Sequence, residues 1–309
     1  MAKVKTKAPL KTLNKVLFTV FVLLLVAVIL IIAISPAKVA TTDAAAEEIV
    51  DEVVIDELKS GTYGGVNFAS LDDVVAFYNE CYDHTKTLTS QYKNAEGKTE
   101  TFYTLLGEDD LQVESILIEG KENSMINNLV PGVVGGLFSN GLDGLPPCTN
   151  RNPEMDVDIN GDSLTTSRLV ADDLLAANVV DNGDGTITIT LQPKMFNMSA
   201  PGMDCQGHVF KTLGDIAGVV SNITVLSFSQ GDANENVKVN YMGGTAIVKI
   251  NVASKEVVEA DYHEVAQVAV THANVAVLKD KSASLTIKYD MHFPASDDYL
   301  MNTKQITRL

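Results

Sequence analysis

The chain has 309 residues, of which 46% are hydrophobic and 20% are charged, so it can bury one large core or two smaller ones. Its net charge of −17 at pH 7 argues against a nucleic-acid partner, because an acidic surface repels phosphate groups. All five charged residues among residues 1–15 are lysines, so the acidic excess of the remaining chain is larger still.

Residues 16–34, VLFTVFVLLLVAVILIIAI, form an apolar run in which only Thr19 is polar. A helix of this length spans about 28 Å, close to the roughly 30 Å of a bilayer core. We predict a retained single-pass transmembrane anchor; a cleaved signal peptide, which usually has a shorter apolar region, is the alternative. Lysines before the run and acids after it place residues 1–15 in the cytoplasm and the rest outside, so the predicted location is the cell membrane.

Residues 35–66 are predicted to form an acidic helical stalk or linker. Thr42 or Asp43 caps the helix, and Lys59 and Gly61 end it. Its narrow apolar stripe suits either a solvated spacer or a stalk that binds a partner.

Residues 67–309 are predicted to be an extracytoplasmic α+β domain that begins with a helix capped by Ser70. Apolar residues at positions 71, 74, 75, 78, 81 and 82 give this helix a buried face. Two strands about a turn at residues 94–97 follow. The glycine-rich apolar segment at residues 123–142 is too short and broken to span a bilayer, and it is predicted to be a core helix or a ligand-lining helix.

Two acidic loops resemble calcium-binding loops. In DNGDGTITITL, residues 181–191, Gly183 and Gly185 occupy ligand positions and have no side-chain oxygen, so a hairpin turn is predicted. In DVDINGDS, residues 156–163, Leu169 stands where the last acidic ligand belongs. We predict a turn with Asx hydrogen bonds there, with a weak calcium site as the alternative.

Period-two alternation dominates after Val170 and predicts antiparallel strands that cover a core on one face. The alternating segments are residues 186–191, 236–242, 246–252 and 284–293, with ASKE (253–256) as one of the turns. Residues 262–278 differ because apolar residues occupy both faces. Such a strand is either covered on both sides or faces an apolar cavity.

The three cysteines have different settings. Cys81 lies on the apolar face of the predicted helix and is expected to be a buried thiol. Cys148 and Cys205 lie in turn-rich loops, where they form either one disulfide or two free thiols.

No chemistry-bearing motif emerges from the spacing of the polar residues. The five histidines lack zinc-site or triad spacing, and His272 is interpreted as a core or cavity histidine. Nucleophile-elbow, phosphate-loop and dinucleotide motifs are missing from the sequence. We therefore predict no catalytic residue, cofactor or metal site, and a function other than catalysis.

Four segments follow one another in the order SLDDVVAFYNECYDHTKTLTSQY, LTTSRLVADDLLAANVVDNGDGTITITLQP, GHVFKTLGDI and VKVNYMGGTAIVKINVASKEVVEADYHEVAQVAV. This order resembles that of a group of uncharacterised membrane-anchored or secreted bacterial proteins, and the likeness covers about residues 71–293. ASKE occupies a turn in which the group often has D-x-x-T-G. The resemblance implies an architecture and an extracytoplasmic location, but no active site.

Together these observations predict an α+β fold: a long, curved antiparallel β-sheet, meander-like or half-barrel-like, with one or two packed helices, preceded by a single transmembrane helix. Such a sheet can leave an apolar groove, so the predicted function is binding of a lipid or other hydrophobic ligand. The alternative is a cell-envelope interaction or structural module with an acidic surface. The predicted lining residues are Val265, Val268, Val270, Val275 and Val277 on the strand and Val130, Val133, Leu137 and Phe138 on the glycine-rich segment.

Overall fold

The structure is a computed structural model, and it describes residues 51–122, 143–147, 156–212, 221, 226–275 and 278–309. Its longer strands are β3 (Thr89–Lys93), β4 (Thr99–Tyr103), β5 (Glu108–Ile118), β7 (Leu174–Asp181), β8 (Thr186–Pro193), β11 (Val237–Asn251), β12 (Glu256–Val275) and β13 (Leu278–Phe293). The short strands are β1 (Gly61–Tyr63), β2 (Val66–Phe68), β6 (Lys121–Glu122), β9 (Phe196–Asn197), β10 (Leu226–Phe228) and β14 (Thr307–Arg308). The helices are α1 (Leu71–Thr87), α2 (Ala233–Asn236) and α3 (Asp297–Tyr299), with a 3₁₀ turn at Ala171–Asp173 and a π-helical turn at Leu300–Lys304.

The main sheet has nine strands, and every pairing in it is antiparallel. Its strand order is β6-β5-β13-β12-β11-β8-β7, with β10 beside β12 and β9 beside β11. Two small sheets, β1-β2 and β14-β3-β4, lie apart from it. The predicted antiparallel sheet with few helices is therefore confirmed.

Helix α1 begins with the capping box predicted around Ser70. The backbone N–H of Asp73 donates to the Ser70 hydroxyl at 3.4 Å, and the Asp73 carboxylate accepts from the Ser70 N–H at 3.0 Å. The predicted apolar face is buried and packs on the sheet, which confirms the helix. The cluster that it forms includes Val74, Tyr78, Cys81 and Tyr82 from α1, Ile187, Ile189 and Leu191 from β8, and Val248, Ala260 and Phe293 from the long strands.

The length of α1 limits how much of the sheet it covers. Seventeen residues of helix extend about 25 Å, whereas the twenty residues of β12 extend about 66 Å. The α1 cluster accordingly includes Val257, Ala260 and Tyr262, at the start of β12. The later apolar residues of β12 lie beyond it.

Residues 237–251 form one strand, although the sequence predicted two. The register with β12 shifts between Tyr241 and Gly244, which marks a β-bulge. Before the bulge the odd-numbered residues are buried, and after it the even-numbered ones are. The bulge therefore keeps the apolar side chains before and after it against the same core, although the buried positions change from odd to even numbers.

The predicted stalk helix is wrong for residues 51–60, which form no regular helix or strand. The side chain of Gln192, on β8, accepts a hydrogen bond from the Val54 N–H at 3.0 Å and donates one to the Glu52 carbonyl at 2.7 Å. Hydrogen bonds to the Gln192 side chain thus occupy backbone groups that would bond to one another within a helix. Residues 35–50 and the predicted anchor at residues 16–34 lie outside the described residues. No helix within the described ranges is long and apolar enough to cross a membrane.

Both acidic loops are turns, as predicted. Between β7 and β8, the Asn182 N–H donates to the Thr186 carbonyl at 3.1 Å, and Gly183 and Gly185 have positive φ. In the other loop, the Asp158 carboxylate accepts from the N–H groups of Asn160 at 2.7 Å and Asp162 at 3.0 Å. Its second oxygen pairs with Arg168.

Burial acts to raise the pKa of Asp158. The hydrogen bonds from Arg168, Asp162 and Asn160 outweigh this effect and hold the pKa below its ordinary value. The carboxylate is therefore ionised and already fully engaged by donors of its own loop and by Arg168.

Candidate functional site

The predicted lining residues divide between the two faces of β12. Val268 and Val270 are buried, with 4% and 3% of their surface exposed. Val265 lies on the opposite face and is half-buried, because successive side chains of a strand point to opposite sides. Its assignment to the same lining is therefore wrong.

The side chains of the other predicted lining residues are not among those that the structure describes. The backbone of Val275 pairs with Leu226 and Leu278, but its side chain is not described. Val277, Val130, Val133, Leu137 and Phe138 lie outside the described residues.

The buried row of β12 contains one carboxyl group, that of Glu264. Glu264 is 5% exposed and lies between Tyr262 and Ala266 on the buried face. Its Oε1 has no hydrogen-bond partner in the described part of the chain. Burial raises the pKa of Glu264 to about 8, although the nearby Lys211 acts to lower it. At neutral pH this side chain is mainly a neutral carboxylic acid.

The bulge in β11 places Gly244 directly opposite Glu264 on β12. Gly244 pairs with Glu264 and has a φ of 111°. A Cβ at Gly244 would lie 2.3 Å from the carbonyl oxygen of His263 and 3.1 Å from Cζ of Phe210. Only glycine permits this approach, in which Gly244 lies close to the backbone of His263 and to the ring of Phe210.

Other ionisable groups surround Glu264. Tyr289 lies directly across from it on β13. Lys211 Nζ lies 2.5 Å from the carboxylate of Asp143, which is itself buried. Burial raises the pKa of Tyr289 well above its ordinary value, and the carboxylates of Asp143 and Asp109 raise it further. Near neutral pH, Glu264 and Tyr289 are therefore neutral hydrogen-bonding groups, with one ion pair beside them.

Four histidines form pairs with aspartates, which their spacing in the sequence did not indicate. The pairs are His208–Asp173, His263–Asp290, His272–Asp280 and His292–Asp261, with Nδ1 to oxygen distances of 2.7 to 2.8 Å. The core or cavity interpretation of His272 is wrong, because its side chain is 41% exposed and its partner Asp280 is also exposed. Three of the pairs join β12 to β13, and His208–Asp173 joins a loop to the 3₁₀ turn at Ala171–Asp173. These contacts depend on tertiary structure, which the spacing of residues along the sequence does not contain.

The described cysteines are buried free thiols. Cys81 lies in the α1 core, as predicted, and Cys205 lies 3.2 Å from the carbonyl oxygen of Lys194, to which its thiol donates. Cys205 forms no disulfide in the structure, and Cys148, its predicted partner, lies outside the described residues. The predicted disulfide therefore requires a chemical test.

Sequence reasoning missed Glu264, although a signal for it was present. Counting every second residue of β12 from Tyr262 gives Glu264 as the one acidic residue in an otherwise apolar row that continues to Val270. The resemblance to membrane-anchored or secreted bacterial proteins stays a prediction. Comparison of the chain with protein-family models, curated proteins and solved structures found no match.

Proposed function

We propose that this chain is a non-enzymatic, membrane-anchored domain that binds a lipid or other hydrophobic ligand outside the cytoplasm. The ligand would lie against the row of β12 that contains Ala266, Val268 and Val270, and its polar head would contact Glu264. The predicted anchor at residues 16–34 would hold the domain beside the membrane that supplies such a ligand. The observation that carries the proposal is the buried carboxyl group of Glu264 within this apolar row.

Oε1 of Glu264 is buried and has no hydrogen-bond partner among the described residues. A buried polar atom without a hydrogen bond costs about 1–3 kcal/mol. Glu264 forms no ion pair with a described residue, so its contribution to the fold is unfavourable. A ligand head that donates to Oε1 would recover this cost. Because a neutral carboxyl both donates and accepts, a hydroxyl or a carboxylic acid, each of which can donate to Oε1 and accept in return, fits it best.

The length of β12 and the bulges in the sheet are the second support. The α1 core ends near Tyr262, whereas β12 continues to Val275. Register shifts mark bulges in β11, β12 and β5. Because a bulge bends its strand, the sheet would curve into a half-barrel with its concave side toward the apolar row. A concave, mainly apolar surface with one polar group is typical of small-molecule sites.

Two measurements on the full chain test the proposal. The chain is purified in mild detergent, and native mass spectrometry should detect an apolar molecule bound to it. A dansyl-labelled fatty acid should bind to the delipidated chain with increased fluorescence. Glu264→Leu removes the polar contact and should weaken probe binding by about 5- to 30-fold, the equivalent of one or two hydrogen bonds. Glu264→Gln keeps a hydrogen-bonding side chain and should bind nearly as tightly as the original chain.

The matched control is Glu259→Leu, the same substitution on the exposed face of the same strand. It should leave probe binding unchanged. A folded chain that neither carries an apolar molecule nor binds the probe would overturn the proposed function. Equal probe affinities for Glu264→Leu and Glu259→Leu would remove Glu264 from the site.

A second candidate function is a cell-envelope interaction module that meets a basic partner. The observation in its favour is an acidic outward face of the main sheet, formed by Glu108, Asp110, Glu259, Asp261 and Asp290. Binding of the full chain to an immobilised lysine-rich peptide should then be strong at low salt and lost at high salt. Weak binding at both salt concentrations would count against this candidate.

A further inference from the structure

The outward face of β12 and β13 brings imidazole and carboxylate groups together. Asp261 lies directly opposite His292, and the next outward pair, His263 and Asp290, lies beside them. Glu259 precedes Asp261 by two residues and shares its face. The two strands thus place four partly exposed groups in a square, with a fifth at its edge.

Three of these residues can reach one cation. Glu259, Asp261 and His292 each offer a ligand atom, and these atoms lie within 4.8 Å of one another. Ligand atoms around one zinc ion lie about 3.5 Å apart, because each is about 2.1 Å from the metal. All three side chains are at least partly exposed, so rotation about their side-chain bonds can bring the ligand atoms closer together.

The charges of this face also favour a cation. In the described parts of the chain, neither Glu259 nor Asp261 forms an ion pair with a lysine or arginine. Lys249 lies opposite Glu259 but pairs with Asp184 at 3.5 Å. Lys288, on β13, pairs with Glu114 on β5.

Strand β5 adds further negative charge on the same face. Glu108 lies opposite His292, and Asp110 lies opposite Asp290. A hydrogen bond of 2.7 Å between His292 Nδ1 and Asp261 Oδ1 explains that pair as an ordinary cross-strand contact. This hydrogen bond does not explain why Glu259 and Asp261 lie side by side on one face, since adjacent like charges repel. A bound cation would remove that repulsion.

We propose that Glu259, Asp261 and His292 bind a divalent transition-metal cation, such as Zn²⁺, on this outward face. The imidazole selects the class of metal, because calcium and magnesium prefer oxygen ligands alone. Three protein ligands leave a further position for water or for a ligand from another molecule. This site lies on the face of β12 opposite Glu264 and is independent of the proposed apolar site.

Calorimetric titration of the tag-free, metal-stripped full chain with ZnCl₂ tests the site. We expect one Zn²⁺ to bind per chain, and we expect this binding to require Glu259, Asp261 and His292. Co²⁺ should give visible absorption bands at the same stoichiometry. His292→Ala removes the nitrogen ligand and should weaken Zn²⁺ binding by about tenfold or more. Asp261→Asn should weaken it similarly.

His272→Ala is the matched control, because His272, like His292, is a partly exposed histidine that pairs with an aspartate on the neighbouring strand of the β12–β13 pair. It should leave Zn²⁺ affinity unchanged. The proposal is overturned if no stoichiometric Zn²⁺ binds, if His292→Ala and His272→Ala have equal effects, or if Ca²⁺ binds as tightly as Zn²⁺. Circular dichroism of each variant shows that the fold is retained.

Discussion

The backbone N–H of Val257 donates a 2.8 Å hydrogen bond to Oγ1 of Thr85, and this bond ties β12 to the last turn of α1. The same hydroxyl donates to the Cys81 carbonyl at 2.7 Å. Both Thr85 and Val257 are buried, and the register of β12 with β11 shifts next to Val257. One hydroxyl group therefore joins the helix to the sheet at a strand irregularity.

Replacing Thr85 by valine should destabilise the domain, because it leaves the buried N–H of Val257 without its acceptor while the side-chain volume stays nearly the same. We expect the free energy of unfolding to fall by roughly 1–3 kcal/mol. Urea denaturation of the full chain measures this change. Thr87→Val, two residues along the same helix, removes an exposed hydroxyl and should cost less than about 0.5 kcal/mol. Equal losses for the two variants would contradict the assigned role of Thr85.

Glu264 should make stability depend on pH. Its pKa is raised from 4.5 to about 8 in the folded chain, so the folded state keeps a proton that the unfolded state loses between those values. The free energy of unfolding should therefore fall as pH rises through this window and level off above it. At about 1.4 kcal/mol per pKa unit, the upper bound is on the order of 5 kcal/mol.

The measurement for this pH dependence is a series of urea unfolding curves for the original chain and for Glu264→Gln. The glutamine side chain does not titrate, so its curve should lack the decline between about pH 5 and pH 8. Glu259→Gln, exposed on the same strand, should behave like the original chain. If Glu264→Gln and the original chain decline in parallel, Glu264 is ionised in the folded state.

Gly244→Ala should disrupt the bulge that closes over Glu264. The new Cβ would meet the carbonyl oxygen of His263 at 2.3 Å, and backbone atoms cannot rotate away as a side chain can. We expect a loss of more than about 3 kcal/mol or failure to fold. Gly97→Ala is the control, because Gly97 has a φ of 78° but open space around it. It should cost about 1 kcal/mol, and thermal unfolding of both variants distinguishes steric overlap from backbone strain.

The cysteines should react slowly in the folded chain. Burial raises the pKa of Cys81 to about 12 and that of Cys205 to about 11, and the thiolate is the reactive form. Iodoacetamide at pH 8 should label neither before unfolding and both after unfolding in urea without reductant. Peptide mass spectrometry locates the labels. If Cys205 is labelled only after reduction, it forms a disulfide, and Cys148 is the predicted partner.

Elements defined by local chemistry were predictable from the sequence. Ser70 and Asp73 mark the start of α1, and Gly183 and Gly185 mark the turn between β7 and β8. The alternation of residues 284–293 likewise predicted much of β13. Each of these patterns lies within about twenty residues, and each reflects backbone geometry or contacts between residues that are near one another in the sequence.

Elements with bulges were harder to predict. In β5, Val113 and Ile116 face the same side although their numbers differ by three, because the register shifts between them. The alternation is interrupted, and the strand was missed. Residues 51–60 were also misassigned, as helix, because a distant residue decides their conformation. The side chain of Gln192, more than a hundred positions away, hydrogen-bonds to their backbone.

The sequence by itself determined the apolar run at residues 16–34, the acidic charge, the capped helix and the antiparallel character of the sheet, because composition and short-range periodicity contain this information. Only the tertiary structure decided that Glu264 is buried, with no partner for Oε1 among the described residues, and that Asp261 faces His292. Both depend on the register between β12 and its neighbours, and register is set by bulges and long-range packing. A change of one residue in that register would move every side chain of a strand to the other face.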